Sequence, residues 1–87
     1  MATASPSDTP NPNAKKFTLD TRLGSALNLR SAEDAASNPF AAAVFALDGV
    51  VQVFGVANGD FVTVTRRPGA DWVPIIEGVQ AAAAEHL

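Results

Sequence analysis

Cysteine is absent from this chain of 87 residues. That omission removes disulfides, catalytic thiols and thiolate ligands for zinc or an iron–sulfur cluster. Histidine occurs once, as His86. A single His with no acidic cluster beside it in sequence makes a poor metal site, and near the C-terminus of a helix it simply suits the dipole. No Ser-His-Asp or Cys-His arrangement can be assembled. The segment GVANG lacks both the spacing and the following helix of a phosphate-binding loop. Apolar runs are short, and none approaches the ~20 residues that span a bilayer. The opening MATASPSDTPNPNA has neither an apolar core nor a basic residue, so it reads as neither a secretory signal nor a transit peptide, and the expected location is the cytoplasm. Six Lys and Arg against nine Asp and Glu give a net charge of −3, which argues against a nucleic-acid partner, since phosphate binding needs a basic footprint.

Hydrophobic residues make up 47% of the chain, but much of this is alanine, and the large aromatics are five Phe and one Trp. A core region of about 70 residues buries only ~60% of its unfolded surface, so a small, modestly stable domain is expected. Residues 1–9, rich in Ser, Thr and Pro, read as a flexible tail, and residues 10–87 as a single domain.

The pass along the chain gives an order ββαββα. KFTLD and ALNLR alternate apolar and polar residues, the mark of half-buried strands, and are expected to pair as a hairpin around Gly24. Ser31 with Glu33 and Asp34 opens a helical stretch. Pro39 interrupts it, which predicts a short helix over 32–36 and a restart with Asn38 as N-cap and Pro39 at the first helical position. Phe40, Val44 and Leu47 share one stripe, with Phe45 beside it, and Gly49 is the stop signal. VVQVFG and DFVTVTRR are strands joined around Asn58-Gly59, a hairpin signal. Asp71 caps a last helix that tolerates Pro74 in its first turn and buries Trp72, Ile75, Ile76, Val79, Ala83 and Leu87. The fold class is therefore α+β: two layers, with a four-stranded, mainly antiparallel sheet and its helices on one face.

Alternation predicts an opposite, open sheet face carrying Lys16, Thr18, Asn28, Arg30, Gln52, Phe54, Phe61, Thr63 and Thr65. Aromatics on such a face suggest docking, so Phe54, Phe61, Thr63, Thr65, Lys16 and the strand-end Arg66 are the candidate partner-binding residues. Base stacking on Phe54 and Phe61 is the one route to the alternative, a single-stranded nucleic-acid binder. Asp48 and Asp60 flank the third strand but look like ordinary turn acids. Lys15, Lys16, Arg66 and Arg67 could form a basic patch or merely a charged sheet edge.

Several segments in register resemble the Nfu/NifU N-terminal domain family. PNPNAKKF looks like that family's opening, RSAEDAASNPFAAAVFALDGVVQVFG its central stretch, DFVTVTR its Asp-Phe-(Ile/Val)-Thr-Val-Thr strand and DWVPIIEGVQAAAAEHL its closing Trp helix. The match runs from about Thr9 to Leu87. Lys15 departs from a usual apolar residue, and Arg66 from a frequent Lys. On this resemblance Asn11, Pro12, Asn13, Phe17 and Trp72 are motif positions, with Asn11 to Asn13 ordered against the fold and residues before Thr9 dispensable. The resemblance implies a place in iron–sulfur cluster biogenesis. In longer members this domain precedes one whose Cys-x-x-Cys thiolates hold the cluster. Here the expectation is a stand-alone, non-enzymatic interaction module that binds no cofactor itself and acts through a scaffold or client protein, without a membrane role.

Overall fold

A computed structural model of the chain describes residues 3–23, 26–30 and 38–87. Its elements are β1 (Ala4–Asp8), β2 (Ala14–Leu19), β3 (Leu27–Leu29), α1 (Pro39–Phe45), β4 (Val50–Gly55), β5 (Phe61–Arg66) and α2 (Trp72–His86). The five strands form one sheet in the order β1-β2-β5-β4-β3, and every neighbouring pair is antiparallel. The α+β class holds, with one more strand than expected.

That extra strand is β1, in the segment read as a tail. Ala4 to Asp8 carries no alternation of its own and is held by its partners. It pairs along β2 from Ala4↔Leu19 to Asp8↔Lys15. The Thr3 N–H donates to Asp20 Oδ1 at 2.9 Å, and Gln80 Nε2 donates from α2 to the Ala4 carbonyl at 3.2 Å. Ala4 to Asp8 are therefore built into the sheet.

The expected hairpin of KFTLD with ALNLR does not form. β2 sits between β1 and β5, while β3 lies at the far edge against β4. Alternation fixes which face of a strand is buried, not which strand lies beside it. Gly24 and the helix expected over 32–36 fall outside the described residues.

The two helix starts follow local chemistry. Asn38 is extended, and its side chain accepts from the Ala41 N–H at 3.1 Å, with Pro39 opening α1. Asp71 caps α2 by accepting from the Val73 N–H at 3.0 Å. Gly49 turns the chain out of α1 at φ +93, with its carbonyl accepting from the Arg67 N–H at 2.6 Å. In the β4–β5 connection Asn58 takes φ +60, and Leu23 exchanges backbone bonds with Asn58 and Gly59.

Phe17, Leu19, Leu29, Val53, Val62 and Val64 come from the sheet, Phe40, Ala41 and Val44 from α1, and Ile75, Val79, Ala82 and Ala83 from α2; together they form one buried core. Leu47, Phe45, Trp72, Ile76 and Leu87 are partly buried around it. A bulge between Val50 and Gln52 resets the phase of β4. Val50 and Val53 both reach the core because Val51 is extruded to the surface.

Candidate functional site

Register places the open face row by row. Asn28 opposes Phe54, Phe54 opposes Thr63, Thr63 opposes Lys16, and Lys16 opposes Ser7. The adjoining rows pair Phe61 with Thr18 and Thr65 with Gln52. Phe54 is 40% exposed, while Phe61 is half-buried beneath Lys16, whose Nζ lies 4.8 Å from the ring centroid. Five of the six candidate partner-binding residues, Lys16, Phe54, Phe61, Thr63 and Thr65, thus share one surface of hydroxyls with two aromatics.

Arg66 does not belong to it. In the run from Phe61 to Arg66 it has the parity of Val62 and Val64, so it lies on the helix side. There it joins Lys15, which pairs with Val64 and has the parity of Phe17. Lys15 Nζ sits 5.4 Å, and the Arg66 guanidinium carbon 5.2 Å, from the Trp72 ring centroid. Period-two parity was the available signal for this grouping.

The PNPN segment is the third wall of that corner. Asn13 N–H donates to Asn11 Oδ1 at 2.9 Å, a side-chain turn of the kind Asn favours. Ala14 N–H donates to the Asn11 carbonyl at 3.0 Å. The Thr9 hydroxyl accepts from the Asn11 N–H and lies against the Asn11 and Ala14 carbonyls. The loop is then fastened to the rest of the fold. Arg66 N–H donates to the Asn13 carbonyl at 2.7 Å and Arg66 Nε to Asn13 Oδ1 at 3.4 Å. Trp72 Nε1 reaches the Pro12 carbonyl at 3.4 Å. Between loop, strand and helix lies an open cleft of about 350 Å³. Asp8 closes its rim through a 2.6 Å ion pair with Lys15. The hydrogen bond from Lys15, and then its charge, hold the Asp8 carboxyl below its ordinary pKa.

The remaining candidates stay apart. Asp48 and Asp60 precede antiparallel neighbours, β4 and β5, so they stand at opposite ends of the hairpin; Asp48 lies 4.0 Å from Arg67. His86 is exposed at the end of α2. Among the described residues no three His, Asp or Glu side chains cluster as a metal site, and no helix is long and apolar enough to cross a membrane.

Comparison with known proteins gives this geometry a lineage. The family model described as "Scaffold protein Nfu/NifU N terminal" matches residues 5–87. The chain is 42% identical over 67 residues, 74% of its length, to NifU-like protein 5, mitochondrial, of Arabidopsis thaliana, and 33% identical over 85 residues, 92% of its length, to a NifU-like protein of Schizosaccharomyces pombe. It spans only 23% and 32% of those two relatives. Among solved structures, the crystal structure of protein SAV1430 from Staphylococcus aureus aligns with a TM-score of 0.77 at 29% identity, covering 94% of this chain and 98% of that one. An iron–sulfur cluster does not fit the donors present here, since the chain has no thiolate and its one imidazole stands alone at a helix end. With sequence and fold in agreement over nearly the whole chain, the protein belongs to the Nfu/NifU N-terminal family.

Proposed function

We propose that this protein is a non-catalytic interaction module of iron–sulfur cluster assembly, which engages a cysteine-bearing scaffold or client protein and leaves cluster ligation to it. The observation that carries the reading is family membership over residues 5–87 in a chain without any cysteine. Relatives in Drosophila species are named iron-sulfur cluster scaffold homologs, and that cargo needs thiolates this chain does not have. The surface we assign to the partner is the open sheet face. Phe54 and Phe61 supply the apolar contact, and Lys16, Thr63 and Thr65 the polar rim. The cytoplasm is the compartment proposed for this task.

Affinity purification of the tagged chain from its native cell tests this. A protein carrying a Cys-x-x-Cys pair should be recovered, and Phe54→Ser with Phe61→Ala should abolish its recovery. Undiminished recovery with both substitutions would remove the open face from the reading, and failure to recover any such protein would remove the assembly role. An oligonucleotide titration at low salt settles the competing use of Phe54 and Phe61. With a net charge of −3, no binding of single-stranded DNA or RNA is expected.

A further inference from the structure

We propose that the cleft between the PNPN loop and the start of α2 is a second binding site, separate from the sheet face, which takes an acidic side chain of an extended peptide segment.

Charge comes first. Arg66 lines the cleft and has no carboxylate partner among the described residues. A guanidinium carries five N–H donors in a rigid fork. Here one is directed to Asn13 Oδ1 and one to the Ala70 carbonyl, leaving three without an acceptor among the described residues. Its bonds to Asn13 and Ala70 hold the guanidinium, its central carbon lies 5.2 Å from the Trp72 ring centroid, and the unused N–H groups suit a planar, bidentate acceptor. Lys15, on the same ring, adds a second cation.

The loop then selects among anions. Phosphate sites are built from converging backbone N–H groups, and in the PNPN run from Pro10 to Ala14 none is left over. Pro10 and Pro12 have no N–H. The N–H groups of Asn11, Asn13 and Ala14 are consumed by Thr9 Oγ1, Asn11 Oδ1 and the Asn11 carbonyl. What remains is side-chain cations between apolar walls, the prolyl rings and the indole, which suit a carboxylate on an aliphatic stem with a neighbouring residue against Trp72. The volume, about 350 Å³, lies at the small end of ligand pockets and suits one or two side chains. The protein supplies its own example of the chemistry: Asp8, whose side chain is 91% exposed, already places a carboxylate on Lys15. Asp8 is therefore an internal competitor at the rim, and the incoming carboxylate is received by Arg66 and Lys15 together.

Trp72 is the only tryptophan in the chain, so its indole N–H gives a single, assignable NMR signal inside the cleft. The experiment titrates the full chain with an acetyl- and amide-capped Gly-Glu-Gly peptide, its Gly-Gln-Gly counterpart and inorganic phosphate at matched ionic strength. We expect saturable shifts of the Trp72 indole and Arg66 Nε signals with the Glu peptide alone. Lys15→Gln and Arg66→Gln should weaken binding roughly fivefold or more, Asp8→Asn should tighten it about twofold, and Phe54→Ser should leave it unchanged. Absence of a saturable shift, or equal shifts with the Gln peptide or with phosphate, would overturn the proposal. So would binding that Lys15→Gln leaves intact; this arm stands even if Arg66→Gln fails to fold, because the Lys15 ammonium sits at the cleft rim against the exposed Asp8 carboxylate and the Trp72 ring.

Discussion

Single residues carry sharply different weights in this fold. Gly49 is buried at φ +93, and a Cβ there would meet Ala70 Cβ at 2.7 Å. Left-handed backbone costs an L-residue about 1–2 kcal/mol, and the clash adds to that. Gly49→Ala should lower the unfolding free energy by about 2 kcal/mol or more in a urea titration. Asp8 makes a gentler test. Its carboxyl is held below its ordinary pKa by the Lys15 ammonium, so the pair favours the folded state at pH values above the unfolded carboxyl pKa of about 3.9. That contribution fades as pH falls through the lowered folded-state value. In a carboxyl-detected NMR titration the Asp8 midpoint should lie below the ordinary aspartate value, and Lys15→Gln should return it to the usual range.

At the level of elements, the helix starts and stops were legible because the signals are local. Asn38 before Pro39, Asp71 before Trp72 and Gly49 after α1 each act within a few residues, and each behaves as its chemistry dictates. The open face was legible as well, since parity along β2, β4 and β5 separates Lys16, Phe54 and Phe61 from Phe17, Val53 and Val62. The position of Arg66 was present in the same parity but was masked by its place at the strand end. What could not be read locally is β1. ASPSD has no apolar alternation, and its strand geometry comes from its partners: the next strand β2, Asp20 and the distant Gln80. The pairing of β2 with β5 was hidden because it joins segments more than forty residues apart. Removing residues 1–8 should therefore cost about 1 kcal/mol, the small balance between lost ladder bonds and released backbone entropy. For a domain of this size that lowers Tm by roughly 4–8 °C, and thermal unfolding followed by circular dichroism checks it.

On the scale of the whole molecule, the two sheet faces are unequal. Phe17 is fully enclosed between sheet and helices, whereas Phe54 is 40% exposed. Phe17→Ala should cost about 3–5 kcal/mol, enough to unfold a domain this small, while Phe54→Ala should stay within about 0.5–1 kcal/mol. Chemical denaturation of the two variants side by side gives the comparison. If both lose stability equally, Phe54 is a packing residue and the sheet face is not a free surface. The sheet edges point the same way. β1 carries Pro6, and β3 is three residues long. Proline and short edge strands both discourage edge-to-edge pairing, which leaves faces and clefts for recognition.

The placement of β2 between β1 and β5 also sets a timetable. Its register joins Thr18 to Phe61 and Ala14 to Thr65, so the central ladder closes only after more than forty residues of intervening chain have been gathered in. Closing such a span must be paid before its contacts reward it, and sheets with distant pairings fold slowly. The β4–β5 hairpin, joined through Asn58 and Gly59, needs no such wait. Folding should accordingly begin there and end when the N-terminal pair of strands docks and Trp72 meets the Pro12 carbonyl. In pulse-labelled hydrogen exchange the amides of Val53 and Val64 should gain protection before those of Phe17 and Leu19, with the tryptophan fluorescence change arriving in the last phase.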